Sequence, residues 1–131
     1  METYENLLSS ARQASENSYS PYSEFSVGAA VMYESGRIYT GCNVENASYG
    51  LSLCAERCAI SSAISTGEKT KIKAIAIYSP TQKKCMPCGA CRQWLLEFTN
   101  GNTKIILEDE NDSPLVLTLD DIFPYGFKFE K

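Results

Sequence analysis

The sequence predicts an α/β fold: a three-layer α-β-α sandwich with a mixed sheet of about five strands and helices on both faces. Three observations predict it. Stretches with helical apolar spacing alternate with short apolar runs bounded by turn residues. Their order is α, β, β, α, β, α, β, β, α, in which strands joined through helices imply parallel pairing and the first pair of strands supplies an antiparallel hairpin. No internal repeat, low-complexity segment or linker interrupts the 131 residues, so residues 1–131 read as one domain.

From Tyr4 to about Asn17, Leu7, Leu8, Ala11 and Ala14 recur at helical spacing, and Pro21 ends that region. Val27 to Tyr33 reads as a strand, Ser35-Gly36 as a turn, and Ile38 to Asn43 as the hairpin partner. Cys54 to Ser65 reads as a helix with Ala55, Ala59, Ile60, Ala63 and Ile64 on its apolar side and Gly67 as its stop. Ile72 to Tyr78, bounded by Pro80, is a buried strand. Cys88 to Phe98 is a second long helix, closed by Asn100-Gly101. Thr103 to Leu107 and Leu115 to Leu117 are further strands. Thr118 with Asp121 opens a last short helix that Pro124 ends.

Composition narrows the function. Twelve Lys and Arg against sixteen Asp and Glu leave a net charge of -4. No stretch gathers the basic face expected of a nucleic-acid binder, so a small, weakly charged partner is expected. No apolar run approaches the ~20 residues of a membrane span. Met1 to Ser10 has neither the basic start nor the apolar core of a signal peptide, and a cytoplasmic location is expected. There the six cysteines stay reduced, which favours metal binding or catalysis over disulfides. Histidine is absent, which excludes Ser-His-Asp triads and Cys-His nucleophiles and leaves thiolates and carboxylates as metal ligands.

Five cysteines form two clusters: Cys54 and Cys58 one helical turn apart, and Cys85, Cys88 and Cys91 at intervals of three around Pro87 and Gly89. Cys54 opens one helix, and Cys88 and Cys91 open another. If those helix starts converge, three sulfurs meet one Zn²⁺ and a fourth tetrahedral position stays open for water. Cys58 is expected in the core, while Cys58 or Cys85 as a fourth ligand would instead close a structural zinc or iron–sulfur site. Arg57 and Arg92 each follow a proposed ligand and could donate to thiolates, with Arg57 expected to tune the site. Glu56 is the one carboxylate inside either cluster, placed to take a proton from water and deliver it to a leaving nitrogen.

Cys54-Ala55-Glu56 followed by Pro87-Cys88-Gly89-Ala90-Cys91 resembles the cytidine deaminase signature, in its all-cysteine form. Tyr19-Ser20-Pro21-Tyr22-Ser23 with Phe25, Val27-Gly28-Ala29-Ala30, Gly41 to Ala47 and Cys91-Arg92-Gln93 resemble its small, free-nucleoside branch. The likeness runs from about Tyr19 to Phe98 and more faintly to Phe127.

The resemblance implies zinc-dependent hydrolytic deamination of cytidine and 2′-deoxycytidine, a step of pyrimidine salvage, with one Zn²⁺ per subunit. It implies that Cys54, Cys88 and Cys91 hold the metal and that Glu56 moves protons to ring N3 and the departing amino group. Asn43 and Glu45, in Asn43-Val44-Glu45, would grip the 3′-hydroxyl, with Val44 also among the substrate-binding residues. Phe25 would pack on the pyrimidine, and the backbone N–H of Ala55 would contact the base. Tyr49 is expected at the pocket rim. A homotetramer with shared sites is implied, with Phe127, or alternatively Phe129, reaching into a neighbour's pocket. A deaminase for a modified cytosine nucleoside shares the zinc motifs; the intact Asn43-Val44-Glu45 favours an ordinary ribose. A polynucleotide substrate would need the basic groove this chain lacks.

Overall fold

The chain folds as α1 (Glu2–Ser15), β1 (Gly28–Tyr33), β2 (Ile38–Cys42), a 3₁₀ turn (Tyr49–Leu51), α2 (Ala55–Ser65), β3 (Ile72–Tyr78), α3 (Gly89–Phe98), β4 (Lys104–Glu108), β5 (Pro114–Thr118) and α4 (Leu119–Ile122). This computed structural model describes residues 2–100 and 102–129. The strands form one sheet in the order β2-β1-β3-β4-β5. β3 and β4 are parallel, joined by the α3 crossover, and the other pairings are antiparallel.

Alternation across the central strands builds two apolar layers. Ala29, Val31, Tyr33, Ile75, Ile77, Ile105 and Leu107 pack with Ala55, Ala59, Ile60 and Ala63 of α2 and Leu95 of α3. On the other face Ala30, Met32, Ala74, Ala76 and Ile106 pack with Leu7, Leu8 and Ala11 of α1. Both faces of β1, β3 and β4 are therefore covered, which is why these strands read as nearly continuous apolar runs. The predicted three-layer sandwich is the observed one.

Two glycines set how closely the helices approach. A Cβ on Gly28 would lie 2.0 Å from the carbonyl oxygen of Ala11 and 2.5 Å from the amide nitrogen of Ser15. One on Gly41 would lie 2.5 Å from the Ala59 nitrogen and 2.7 Å from the Ala55 oxygen. The backbones of α1 and α2 thus rest directly on the β1–β2 hairpin, whose register pairs Gly28 with Cys42 and Ala29 with Gly41. Contact at Gly41 fixes the start of α2, and with it Cys54.

The far wall is set by charge. Glu108, 6% exposed at the end of β4, takes Arg12 of α1 at 3.0 Å and Lys83 at 2.6 Å. The Lys84 amide donates to the Glu108 carbonyl at 2.8 Å. The Lys83–Lys84 segment is thereby tied along β4, which delivers Cys85 and Pro87 to the start of α3.

Most expected boundaries shift by a residue or two. Cys54 and Cys88 cap their helices rather than occupying the first turn. Thr118 and Asp121 form the capping box expected for α4. The Tyr49–Leu51 turn was not expected, because no apolar period marks it; it sits where Val44 bridges Tyr19 on one side and Leu53 on the other.

Gly28→Ala should destabilise the fold by about 1–3 kcal/mol or more, because both contacted atoms are backbone and α1 must move as a unit. Gly50→Ala, with nothing within 4 Å of the added methyl, is the control. Urea unfolding of the two variants checks this, and equal midpoints would show that α1 is not packed at Gly28.

Candidate active site

Cys54 and Cys88 stand immediately before α2 and α3 with extended backbones, φ/ψ -78/154 and -66/168. An N-cap side chain projects over the unpaired amides of the first turn, where partial positive charge favours a thiolate. Cys91, fully buried, lies one turn into α3. The three sulfurs lie within 4.8 Å of one another, with Cys88–Cys91 at 3.4 Å and Cys54–Cys88 at 4.0 Å. Tetrahedral zinc with bonds of about 2.3 Å separates its sulfurs by about 3.8 Å. Among the described residues this is the one group of three potential ligands so close together.

The donor chemistry also fits. A hydrogen bond from Cys91, and then the Arg57 guanidinium, draw the Cys54 thiol down to about 5 against the cost of burial. The same contact, together with burial, pushes Cys91 upward. Within the cluster the Cys54 sulfur therefore favours the thiolate and accepts a hydrogen bond from the Cys91 thiol. A divalent cation supplies the charge that lets all three deprotonate. Three thiolates and Zn²⁺ sum to -1, and Arg57 partly offsets this: its Nη2 donates to Cys54 Sγ at 3.3 Å. Arg92, expected to share that work, does not. Its Nε donates to the Pro87 carbonyl and its Nη1 to the Ile122 carbonyl, both at 2.8 Å, so it ties α4 to the loop before α3.

Glu56, 4% exposed, is in the first turn of α2 beside the sulfurs. Burial pushes its carboxyl up to about 7, and the Cys54 charge acts in the same direction. A carboxyl held there can both accept and return a proton near neutral pH.

A cavity of about 480 Å³ opens in front of these groups, within the range of small-molecule sites. Cys54, Ala55, Glu56 and Cys88 form its floor, and Phe25, Asn43, Glu45 and Tyr49 are in its walls. Asn43 Oδ1 accepts from Ser18 Oγ at 2.5 Å and from the Val27 amide at 2.9 Å, while its Nδ2 donates to the Phe25 carbonyl at 2.7 Å. Glu45 accepts the amides of Tyr22 and Ser23 at 3.0 and 3.1 Å and the Ser23 hydroxyl. The Ser23 hydroxyl, followed by the two amides, holds the Glu45 carboxyl below its ordinary range.

Other expected residues fall elsewhere. Val44 is not in the cavity wall; its backbone bridges Tyr19 and Leu53, and extended-chain alternation turns its side chain away from the face that Asn43 and Glu45 share. Phe127 is 70% exposed and absent from the cavity, with its backbone clamped by Gln93 at 2.8 and 3.1 Å. Phe129 is exposed too. Cys85 is buried and lines the cavity outside the three-sulfur group. Cys58, expected in the core, is only half-buried and sits under Gly41. The wall residues that sequence reasoning missed include Tyr22, Ser23, Ser52, Leu53, Ile77 and Met86. The polar run Tyr19-Ser20-Pro21-Tyr22-Ser23 was the one signal for Ser23.

A family model described as the cytidine and deoxycytidylate deaminase zinc-binding region matches residues 1–107. The cytidine deaminase of Sporosarcina psychrophila is 40% identical over 126 residues, covering 96% of this chain and 92% of that protein. That of Halalkalibacterium halodurans is 41% identical over 124 residues, covering 95% and 93%. The crystal structure of cytidine deaminase from Burkholderia pseudomallei superposes with a TM-score of 0.86 at 41% identity, covering 93% of this chain and 97% of that one.

Zinc content separates the ligands from the bystanders. Cys54→Ala, Cys88→Ala and Cys91→Ala should each lose the metal, whereas Cys58→Ala and Cys85→Ala should keep one ion per chain. Elemental analysis of the purified variants decides, and loss in Cys85→Ala would indicate a closed four-sulfur site without an open position.

Proposed function

The chain belongs to the cytidine and deoxycytidylate deaminase zinc-binding family, and from that premise we propose that it hydrolyses cytidine and 2′-deoxycytidine to uridine and 2′-deoxyuridine, releasing ammonia. The observation that carries this reading is the three-sulfur cluster with buried Glu56 beside it, at the floor of one cavity. Cys54, Cys88 and Cys91 would hold the zinc. Bound there, it would act as a Lewis acid that makes water nucleophilic near neutral pH.

Glu56 is the proton carrier. Its carboxylate takes a proton from the attacking water and passes it to ring N3, which makes C4 electrophilic. Glu56 then moves the proton of the hydroxyl now on C4 to the C4 amino group, the C4–N bond breaks to release ammonia, and C4 keeps the oxygen as a carbonyl. Burial suits the residue to this work, since it keeps the carboxyl protonatable at neutral pH and excludes stray water. Arg57 acts through Cys54, drawing electron density from the thiolate and so sharpening the metal. The Ala55 N–H, at the first helical position, has no acceptor within its own helix and is free to donate to the base. Phe25 supplies an apolar wall for the pyrimidine. Asn43 and Glu45 read the sugar: one amide N–H and one carboxylate lone pair stay open to a hydroxyl.

The protein acts as a homotetramer with shared sites. Tyr22, Tyr49, Leu53 and Met86 line the cavity and are exposed, an apolar surface that a second copy would cover. Phe127, exposed and bonded to Gln93 through its backbone, would enter a neighbour's pocket. A cytoplasmic location accords with six free cysteines. Among the described residues no helix is long and apolar enough to cross a membrane.

Absorbance-monitored turnover of cytidine by the zinc-loaded protein tests the reaction, and inactivity on both nucleosides would refute it. Glu56→Gln should keep its zinc and its fold but lose a factor on the order of 10²–10⁴ in kcat; near-normal turnover would remove Glu56 from the mechanism. Sedimentation equilibrium should return four times the chain mass, and a monomer would contradict the shared site.

A further inference from the structure

The segment between α1 and β1 carries Phe25 on an irregular loop. Glu24, just before it, has a positive φ of 57°, a conformation that costs a non-glycine residue energy and persists only when its surroundings enforce it. The enforcing contacts are specific. The Phe25 amide donates to Ser23 Oγ at 3.0 Å, and the Phe25 carbonyl accepts from Asn43 Nδ2 at 2.7 Å. Ser23 Oγ in turn donates to Glu45 Oε2. The aromatic wall is thus suspended by its own backbone between the two residues that read the sugar, directly from Asn43 and through one hydroxyl from Glu45.

We propose that Ser23 is a positioning residue that couples the sugar-reading Glu45 to the Phe25 wall of the base pocket. A hydroxyl that donates to a carboxylate is a stronger acceptor for a second donor, so the Glu45–Ser23–Phe25 chain is cooperative. A ligand hydroxyl arriving at the remaining Oε2 lone pair fixes that carboxylate and through Ser23 fixes the Phe25 backbone. Sugar binding then tightens the grip on the base. The idea rests on the nucleoside reading above, and it deepens that reading by giving the sugar a second use besides adding contacts.

The test compares wild type, Ser23→Ala and Ser23→Thr. Calorimetric binding of uridine and of uracil, which differ only in the sugar, should show uridine weakened on the order of tenfold in Ser23→Ala and uracil changed little. Ser23→Thr, which keeps the hydroxyl, should restore uridine binding. In turnover, Ser23→Ala should raise the KM for cytidine far more than it lowers kcat. Equal losses for uridine and uracil, or failure of Ser23→Thr to rescue, would overturn the coupling and leave Ser23 as a shape-filling residue. Hydrogen exchange at the Phe25 amide reads the clamp without any reaction: it should quicken in Ser23→Ala and not in Ser23→Thr. Unchanged exchange would overturn the proposal, whereas normal clamp behaviour in a protein that does not deaminate cytidine would overturn the substrate reading alone.

Discussion

Cys54 and Cys88 bring their sulfurs to 4.0 Å because two helices from different parts of the chain start at the same point. That coincidence constrains everything around it. The start of α2 is placed by close backbone contact with Gly41 on the edge strand. The start of α3 is placed by the β3–α3–β4 crossover and by Lys83, Lys84 and Glu108 at the end of β4. A residue of size at Gly41 would lift α2 from the sheet, and loss of the Glu108 anchor would free the segment that leads into Cys88. The cluster is thus the sum of packing decisions made at the β2 edge of the sheet and at the end of β4.

The same convergence explains how charge is managed. Two helix N-termini and Arg57 gather positive potential where three thiolates must sit, and the buried position of Glu56 raises a carboxyl that would otherwise be permanently ionised. Glu56 follows Cys54 by two residues, so it turns inward on the first turn of α2 while the cysteine caps it. In the proposed reaction one helix start would therefore supply a metal ligand, an amide donor and a proton carrier in three consecutive residues, Cys54, Ala55 and Glu56.

The opposite wall is built from polar groups whose capacity is nearly used up. Both lone pairs of Asn43 Oδ1 are taken, and Glu45 has three donors. Such saturation rigidifies a loop that carries a left-handed Glu24, and it leaves room for a single incoming hydroxyl rather than a general polar surface. Specificity here comes from what remains unsatisfied after the protein has satisfied itself.

Local pattern alone was enough for the three-layer fold, because both-face burial writes continuous apolar runs at β1, β3 and β4 and a helical stripe at α1, α2 and α3. It was enough too for the metal, since five clustered thiols without histidine have few other uses. Cys85 and Cys58 could not be set apart from the proposed ligands by spacing, because spacing alone does not say where a sulfur points; in the tertiary structure their sulfurs lie outside the three-sulfur cluster. Arg92 looked equivalent to Arg57 in sequence, yet it points to carbonyls of Pro87 and Ile122, because the side of α3 it occupies faces α4 rather than the sulfurs. Ser23 was invisible as more than a polar loop residue, for its two partners are a backbone amide two residues on and a carboxylate from beyond β2. Residue type and period are local properties that the sequence by itself determined; which of two similar side chains meets a distant partner depends on the packing of separate elements, and only the tertiary structure decided that.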